Sequence, residues 1–143
     1  MSYDVSFRGA KFFLWNMNKW PASEALIRYN RDAILHKDSC YDKIADGSSF
    51  EEILAGFGWH AETDAQGNVS DIWFDDCRLG DEDTWMEQIA PYVRKGSWIS
   101  MEGEDGHIWC WYFDGEHCTT HTGHITFPSI PDGAFRKDVD ICT

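Results

Sequence analysis

Ser97-Trp98-Ile99-Ser100-Met101-Glu102-Gly103-Glu104-Asp105-Gly106-His107-Ile108-Trp109-Cys110-Trp111-Tyr112-Phe113 holds two apolar, aromatic-rich runs on either side of one turn dipeptide. Asp105-Gly106 suits the positive φ angles of a two-residue type I′ hairpin turn. Such a loop sets Glu104 against His107 and fixes the rest of the register. Ile99 then faces Tyr112, Met101 faces Cys110, and Gly103 faces Ile108 on one side of the ribbon. On the other side Trp98 faces Phe113, Ser100 faces Trp111, and Glu102 faces Trp109. Strand side chains alternate between faces, so both faces of this hairpin are apolar or aromatic. One must pack on helices, and the other needs a second cover or a partner.

Upstream of the hairpin, Asp81, Glu82 and Asp83 stand where a helix N-terminus favours negative charge. Met86, Ile89, Ala90 and Val93 follow at helical spacing, and Arg94-Lys95-Gly96 closes the pattern, predicting a helix over about 82–93. Further back, residues 59–63 and 69–74 flank the turn-rich Asp64-Ala65-Gln66-Gly67-Asn68 and read as a second hairpin. Ser49 and Glu52 form a capping-box signature for a short helix ending near Gly58. Residues 21–36, opened by Pro21 and carrying Ala22, Ala25, Leu26, Tyr29 and Ala33, read as an amphipathic helix. Tyr3 to Phe7 alternates as a first strand, with Gly9 marking a bend or bulge. Downstream, Asp114-Gly115 turns the chain into an extra strand over about 117–122, and an irregular tail begins near Pro128.

With residues 11–47 set aside as an insert, the order is strand, helix, hairpin, helix, hairpin. This is α+β, a ferredoxin-like βαββαβ antiparallel sheet with one or more extra C-terminal strands. Both core helices are expected on one face, with the other face open or covered by the inserted helix. The 143 residues, 43% hydrophobic, make a single domain with a real core. Residues 1–13 lack the apolar core of a signal peptide, and no run approaches the roughly 20 apolar residues of a membrane span. The expectation is a cytoplasmic protein. Five cysteines (Cys40, Cys77, Cys110, Cys118, Cys142), an odd number without paired spacing, fit reduced thiols.

Charge is distributed unevenly. The net charge is −13; residues 1–47 carry seven Lys/Arg against six Asp/Glu, and residues 48–143 carry five against nineteen. Such a surface repels nucleic acid, whose binding depends on cations that neutralise phosphates. It attracts basic surfaces and speeds encounter with them.

The block from about residue 49 to 113 also resembles a group of small proteins from gut Firmicutes, their phages and plasmids. The residues that carry the likeness are Gly67-Asn68, Asp71-Ile72-Trp73-Phe74-Asp75-Asp76, Ile89-Ala90-Pro91-Tyr92-Val93, Gly96-Ser97, Gly103-Glu104-Asp105-Gly106, Trp109, Trp111 and Phe113-Asp114-Gly115. In outline the chain is similar to plasmid proteins with a ferredoxin-like domain of the YubB type. The resemblance implies a fold and carries no active site. Small acidic proteins of mobile elements include inhibitors of host defence, anti-CRISPR proteins among them, and habitat and charge together imply that kind of role.

The chemistry-bearing residues sort into three groups. The carboxylates Asp71, Asp75, Asp76, Glu102, Glu104 and Asp105, with Trp98, Trp109 and Trp111 as anchors, make a surface for a basic host protein. The same aromatics, with Phe113, suggest a single-strand RNA platform, but Glu102 and Glu104 flank them where Lys and Arg are needed. His117, Cys118, His121 and His124 have metal-ligand chemistry, and Cys110, Cys142 or Asp140 would complete a tetrahedral set. No paired C-x-x-C supports that set, and no cofactor is expected. Asp75-Asp76 and Asp81-Glu82-Asp83 lack EF-hand spacing and an adjacent nucleophile, so no catalytic residue is assigned. The sequence thus predicts a non-catalytic polyanion mimic that occupies the basic site of a host nucleic-acid-binding effector. The alternative is a small metal- or ligand-binding domain centred on residues 117–124.

Overall fold

The computed structural model describes residues 3–36, 44–76, 79–126 and 138–140. In chain order these form β1 (Val5–Lys11), α1 (Asn16–His36), α2 (Phe50–Gly56), β2 (Trp59–Thr63), β3 (Val69–Phe74) and α3 (Glu82–Ile89). A single 3-10 turn (Ala90–Tyr92) follows, then β4 (Trp98–Gly103), β5 (Ile108–Phe113), β6 (Cys118–Thr126) and β7 (Asp138–Asp140). The fold is α+β. Cys40, Cys77 and Cys142 lie outside the described residues, as does most of the tail from Pro128.

Two sheets form, both antiparallel. One has the order β1-β4-β5-β6-β7, and the other is the β2–β3 hairpin alone. The ferredoxin-like order is not confirmed, because that arrangement needs the β2–β3 strands in the same sheet as β1. Here the hairpin meets the rest of the chain through Leu14, which exchanges both backbone hydrogen bonds with Val69 (2.9 Å each) and also bridges Val93. The β1 strand carries the bulge expected around Gly9: its register against β4 shifts between Phe7 and Gly9.

Local signatures account for several elements. Ser49 caps α2 by accepting from the Glu52 N–H (3.1 Å) while the Glu52 carboxylate accepts from the Ser49 N–H (3.0 Å). The α1 helix begins at Asn16, earlier than expected, and holds Pro21 inside. Its start is set by a distant partner, since the Asn16 N–H donates to the Asn68 side chain at 2.8 Å. Pro91 sits in the 3-10 turn that ends α3, so Arg94 and Lys95 lie beyond the helix rather than in its last turn.

The central hairpin is present, with a register one residue away from the expectation. Ile99 pairs with Trp111, Met101 with Trp109, Ser100 with Cys110, and Trp98 with Tyr112. The loop has three residues, Glu104, Asp105 and Gly106. The Gly103 carbonyl accepts from the Gly106 N–H (2.9 Å), and the Gly103 N–H donates to the His107 carbonyl (2.8 Å). Only Gly106 has positive φ (85°) in this loop, which makes it a type I turn followed by a glycine bulge and excludes type I′. Asp105 stays out of the left-handed region because its carboxylate accepts from both the His107 N–H (3.0 Å) and the Tyr3 hydroxyl (2.5 Å).

A one-residue change of register exchanges the faces of one strand relative to the other. Ile99, Met101, Trp109, Trp111 and Phe113 therefore share the main core with Leu26 of α1, Leu54 of α2 and Met86 of α3. The opposite face carries Ile108 and Cys110, both buried, with Trp98 packed against them. Helix α1 belongs to the main core and does not cover that opposite face.

The bulge gives a direct test. A Cβ on Gly106 would meet nothing within 4 Å, so its substitution reports backbone conformation alone. Gly106→Ala is expected to lower unfolding free energy by about 1–2 kcal/mol, and Gly106→Asn by less, because Asn tolerates left-handed backbone. Urea denaturation of both variants checks this; equal losses for Ala and Asn would contradict it.

Candidate functional site

The β2–β3 hairpin has one buried and one open face. Trp59, Ile72 and Phe74 point into the core, which leaves His60, Glu62, Asp71 and Trp73 outward. Pairing sets Glu62 directly against Asp71 and His60 against Trp73. The His60 and Trp73 rings are stacked at 5.5 Å, and His60 Nε2 lies 3.3 Å from the Asp75 carboxylate. Two carboxylates facing each other across strands oppose folding, and neither Glu62 nor Asp71 forms an ion pair among the described residues. Trp73, 37% exposed, lies between Asp71 and Asp75 along the strand. Of the expected partner-binding residues, Asp71 and Asp75 come together here, with exposed Asp76 next in the chain.

The other expected members stand elsewhere and have structural roles. Glu102 on β4 lies 3.8 Å from Arg8 of β1. Glu104 accepts from the Asp4 N–H, and Asp105 holds the hairpin turn. The hydrogen bond from Tyr3 holds the Asp105 carboxyl below its usual range and pushes the Tyr3 phenol up to about 12. Trp111 is 2% exposed and offers a partner no surface; Trp109 is 9% exposed, and Trp98 is on the opposite sheet face. Burial thus corrects the assignment of Trp109 and Trp111 as surface anchors, because the observed register directs both into the helix-facing core. Trp73, not among the expected residues, is the exposed aromatic of this face, and its alternation with Asp71 and Asp75 is visible in the sequence.

Around the start of α3 the carboxylates bind protein groups. Glu82 is 3% exposed; it accepts from the Trp59 indole N–H (3.0 Å) and the Gly80 N–H (2.6 Å). Burial raises its pKa above the ordinary 4.5 despite those two bonds. Asp83 accepts from the Trp111 indole (2.5 Å) and the Thr120 hydroxyl (3.4 Å), fastening α3 to β5 and β6. Glu87 accepts from the Cys118 N–H (2.8 Å) and meets His117 Nδ1 at 2.7 Å. Its hydrogen bond to Glu87 raises the His117 pKa above 6.5. A pocket of about 240 Å³ opens beside Glu82 and Asp83, walled by Trp109 and Trp111.

The His/Cys stretch is dispersed by the strand start. His117 precedes β6 and turns to Glu87, whereas Cys118 packs against the main core, which pushes its thiol up to about 12. His121 sits across from Cys110, and its Nε2 meets the Thr119 hydroxyl at 2.9 Å. Among the described residues no group of three or more His, Cys, Asp or Glu is placed to hold a metal ion. The side chains of His124, Asp140 and Cys142 lie outside the description. No described helix is long and apolar enough to cross a membrane.

Glu82 links the site to pH. With its folded-state pKa above 4.5, the folded protein holds this proton more tightly than the unfolded chain does. The resulting stabilisation is complete below pH 4.5 and is lost as pH rises through the raised value. Glu82→Gln cannot titrate, so the stability of the native protein minus that of the variant should fall with rising pH over that window. Denaturation series at several pH values check the slope, and a pH-independent difference would refute the assignment.

Comparisons with protein-family models, with curated proteins and with solved structures return no match to this chain.

Proposed function

We propose that the chain is a non-catalytic acidic binding protein whose outward β2–β3 face docks on a basic protein surface. The observation that carries this reading is the Glu62–Asp71 pair, two like charges held opposite each other beside an exposed Trp73. Asp71 accepts from the Ile72 N–H (2.8 Å), but neither acid has a cationic partner among the described residues, and a partner bearing Lys or Arg would relieve the repulsion on binding. Asp75 and Asp76 extend the acidic face, and Trp73 supplies the aromatic anchor usual at the centre of an interface. The Lys/Arg groove of a nucleic-acid-processing effector has matching chemistry, because it already accommodates a polyanion. A non-catalytic role is supported by the α3 carboxylates: Glu82 and Asp83, two acids that line a cavity, are engaged by indole N–H groups.

Stability and binding should move in opposite directions. Glu62→Lys converts the repulsive pair to an attractive one and is expected to raise unfolding free energy by about 0.2–1 kcal/mol. The triple change E62K/D71K/D75K should abolish salt-sensitive capture of a partner by the immobilised protein. Trp73→Ala should act mainly by faster dissociation. A partner retained equally at low and high salt, and equally by the triple variant, would overturn the proposal.

A further inference from the structure

We infer that a second copy of this chain docks on the outward face, as a two-fold dimer in which the β2–β3 carboxylates of each copy meet Lys11 and Arg94 of the other. The face is wider than the hairpin. Leu14 bridges both Val69 and Val93, so the segment 12–15 flanks β3 and residues 93–94 flank that segment in turn. The Arg94 N–H donates to the Phe13 carbonyl at 2.9 Å. Leu14 and Val69, bridged and both buried, share the core side, which turns Phe13 and Trp15 to the side of Asp71. The Phe13 and Trp15 rings meet edge to face at 4.7 Å, and Trp15 is 43% exposed. The exposed Arg94 lies over the Phe13 ring, its guanidinium carbon 4.3 Å from the centroid. Lys11, also exposed, pairs with Trp98 on the sheet face away from the main core, the side to which Phe13 turns. Neither Lys11 nor Arg94 forms an ion pair among the described residues, whereas the neighbouring Lys95 is offset by Asp114.

Charge complementarity selects the occupant. One stripe of the face carries Glu62, Asp71 and Asp75, the other carries Lys11 and Arg94, and Phe13 lies between Asp71 and Arg94. A basic protein covers only the first stripe. A second copy, turned over about an axis in the contact plane and parallel to the strands, presents each stripe to its opposite, which is what an isologous interface requires. The Glu62–Asp71 repulsion is then relieved by the other copy's cations, and Trp15 and Trp73 contribute aromatic area. The net charge of −13 on each copy opposes approach, but salt at about 0.15 M screens charges more than about 8 Å apart and leaves the contact pairs in place. The inference rests on the proposed function only in sharing its acidic face; a basic partner would compete with the second copy for Glu62 and Asp71.

Sedimentation equilibrium of the full chain, reduced and at about 0.15 M salt, tests this. A monomer–dimer equilibrium is expected at concentrations up to about 0.5 mM. The double variants K11E/R94E and E62K/D71K each set like charges against like and should weaken the dimer at least tenfold. Mixed in equal amounts they should form a heterodimer about as strong as the native dimer, because each reversed charge then meets its opposite. That recovery also shows that both variants are folded. The inference is overturned if the native chain stays monomeric to about 0.5 mM, if it assembles past the dimer, if either double variant dimerises normally, or if the mixture stays monomeric. K11E/R94E keeps the acidic face and should still capture a basic protein in a salt-sensitive way. Capture without a native dimer therefore defeats this inference alone, and a dimer without capture defeats the basic-partner reading alone.

Discussion

The hydrogen bond from the Trp59 indole to Glu82 holds the two sheets and α3 in one arrangement. Trp59 is fully buried, and its ring contacts Phe74 at 4.9 Å, Trp85 and Trp111 at 6.2 Å, and Phe7 at 6.4 Å. One side chain from β2 therefore touches β1, β3, α3 and β5. An indole at that position buries a polar N–H that must find an acceptor. Glu82 provides it from the first turn of α3, where a carboxylate is also favoured by the helix dipole. Glu82 in turn fixes the Gly80 N–H, and Asp83 beside it repeats the arrangement on Trp111. Two neighbouring acids each orient one tryptophan, and the aromatic core is built on their spacing.

The elements with local causes were legible in the sequence. The Ser49/Glu52 capping box, the β2–β3 hairpin and the start of α3 each depend on residues a few positions apart. What stayed hidden was decided at long range. Asp105-Gly106 is compatible with a two-residue and with a three-residue loop, and the hydroxyl that favours the second comes from Tyr3. A change of one residue in register then reassigns every aromatic of β5 to the other face. Likewise, the order of elements along the chain suggested a ferredoxin-like sheet, but strand order depends on which edges meet. Leu14, an isolated bridge residue with no periodic signal, joins the second hairpin to the remainder. Asn68 similarly starts α1 before Pro21.

The candidate surface was legible in part for the same reason. Asp71 and Asp75 share a face by simple alternation, and that alternation also placed Trp73 between them. The sequence points instead to Trp98, Trp109 and Trp111, because the hairpin that bears them is the most aromatic stretch of the chain. Large aromatics in consecutive alternate positions are the usual material of a core. Their hydrogen-bonding duties, such as the Trp111 indole on Asp83, leave little of them for a partner.

Net charge alone also overstates how much acidic surface is available for binding. A carboxylate that accepts from an indole or a backbone N–H is part of the fold, and its charge is partly offset by the donors around it. Glu82, Asp83, Glu87, Asp105 and Asp64 are of this kind, and the bonds that Asn68 makes to Asp64 lower the pKa of that acid. Glu62 and Asp71 differ in that their outward carboxylates face each other across strands and make no ion pair among the described residues, although Asp71 also accepts from the Ile72 N–H (2.8 Å). Exposed pairs contribute at most about 1 kcal/mol each, so a partner would have to engage several such acids together with Trp73. The strength of any contact with a basic surface is therefore set by the carboxylates that point outward, and their clustering on β2–β3 matters more than the −13 total.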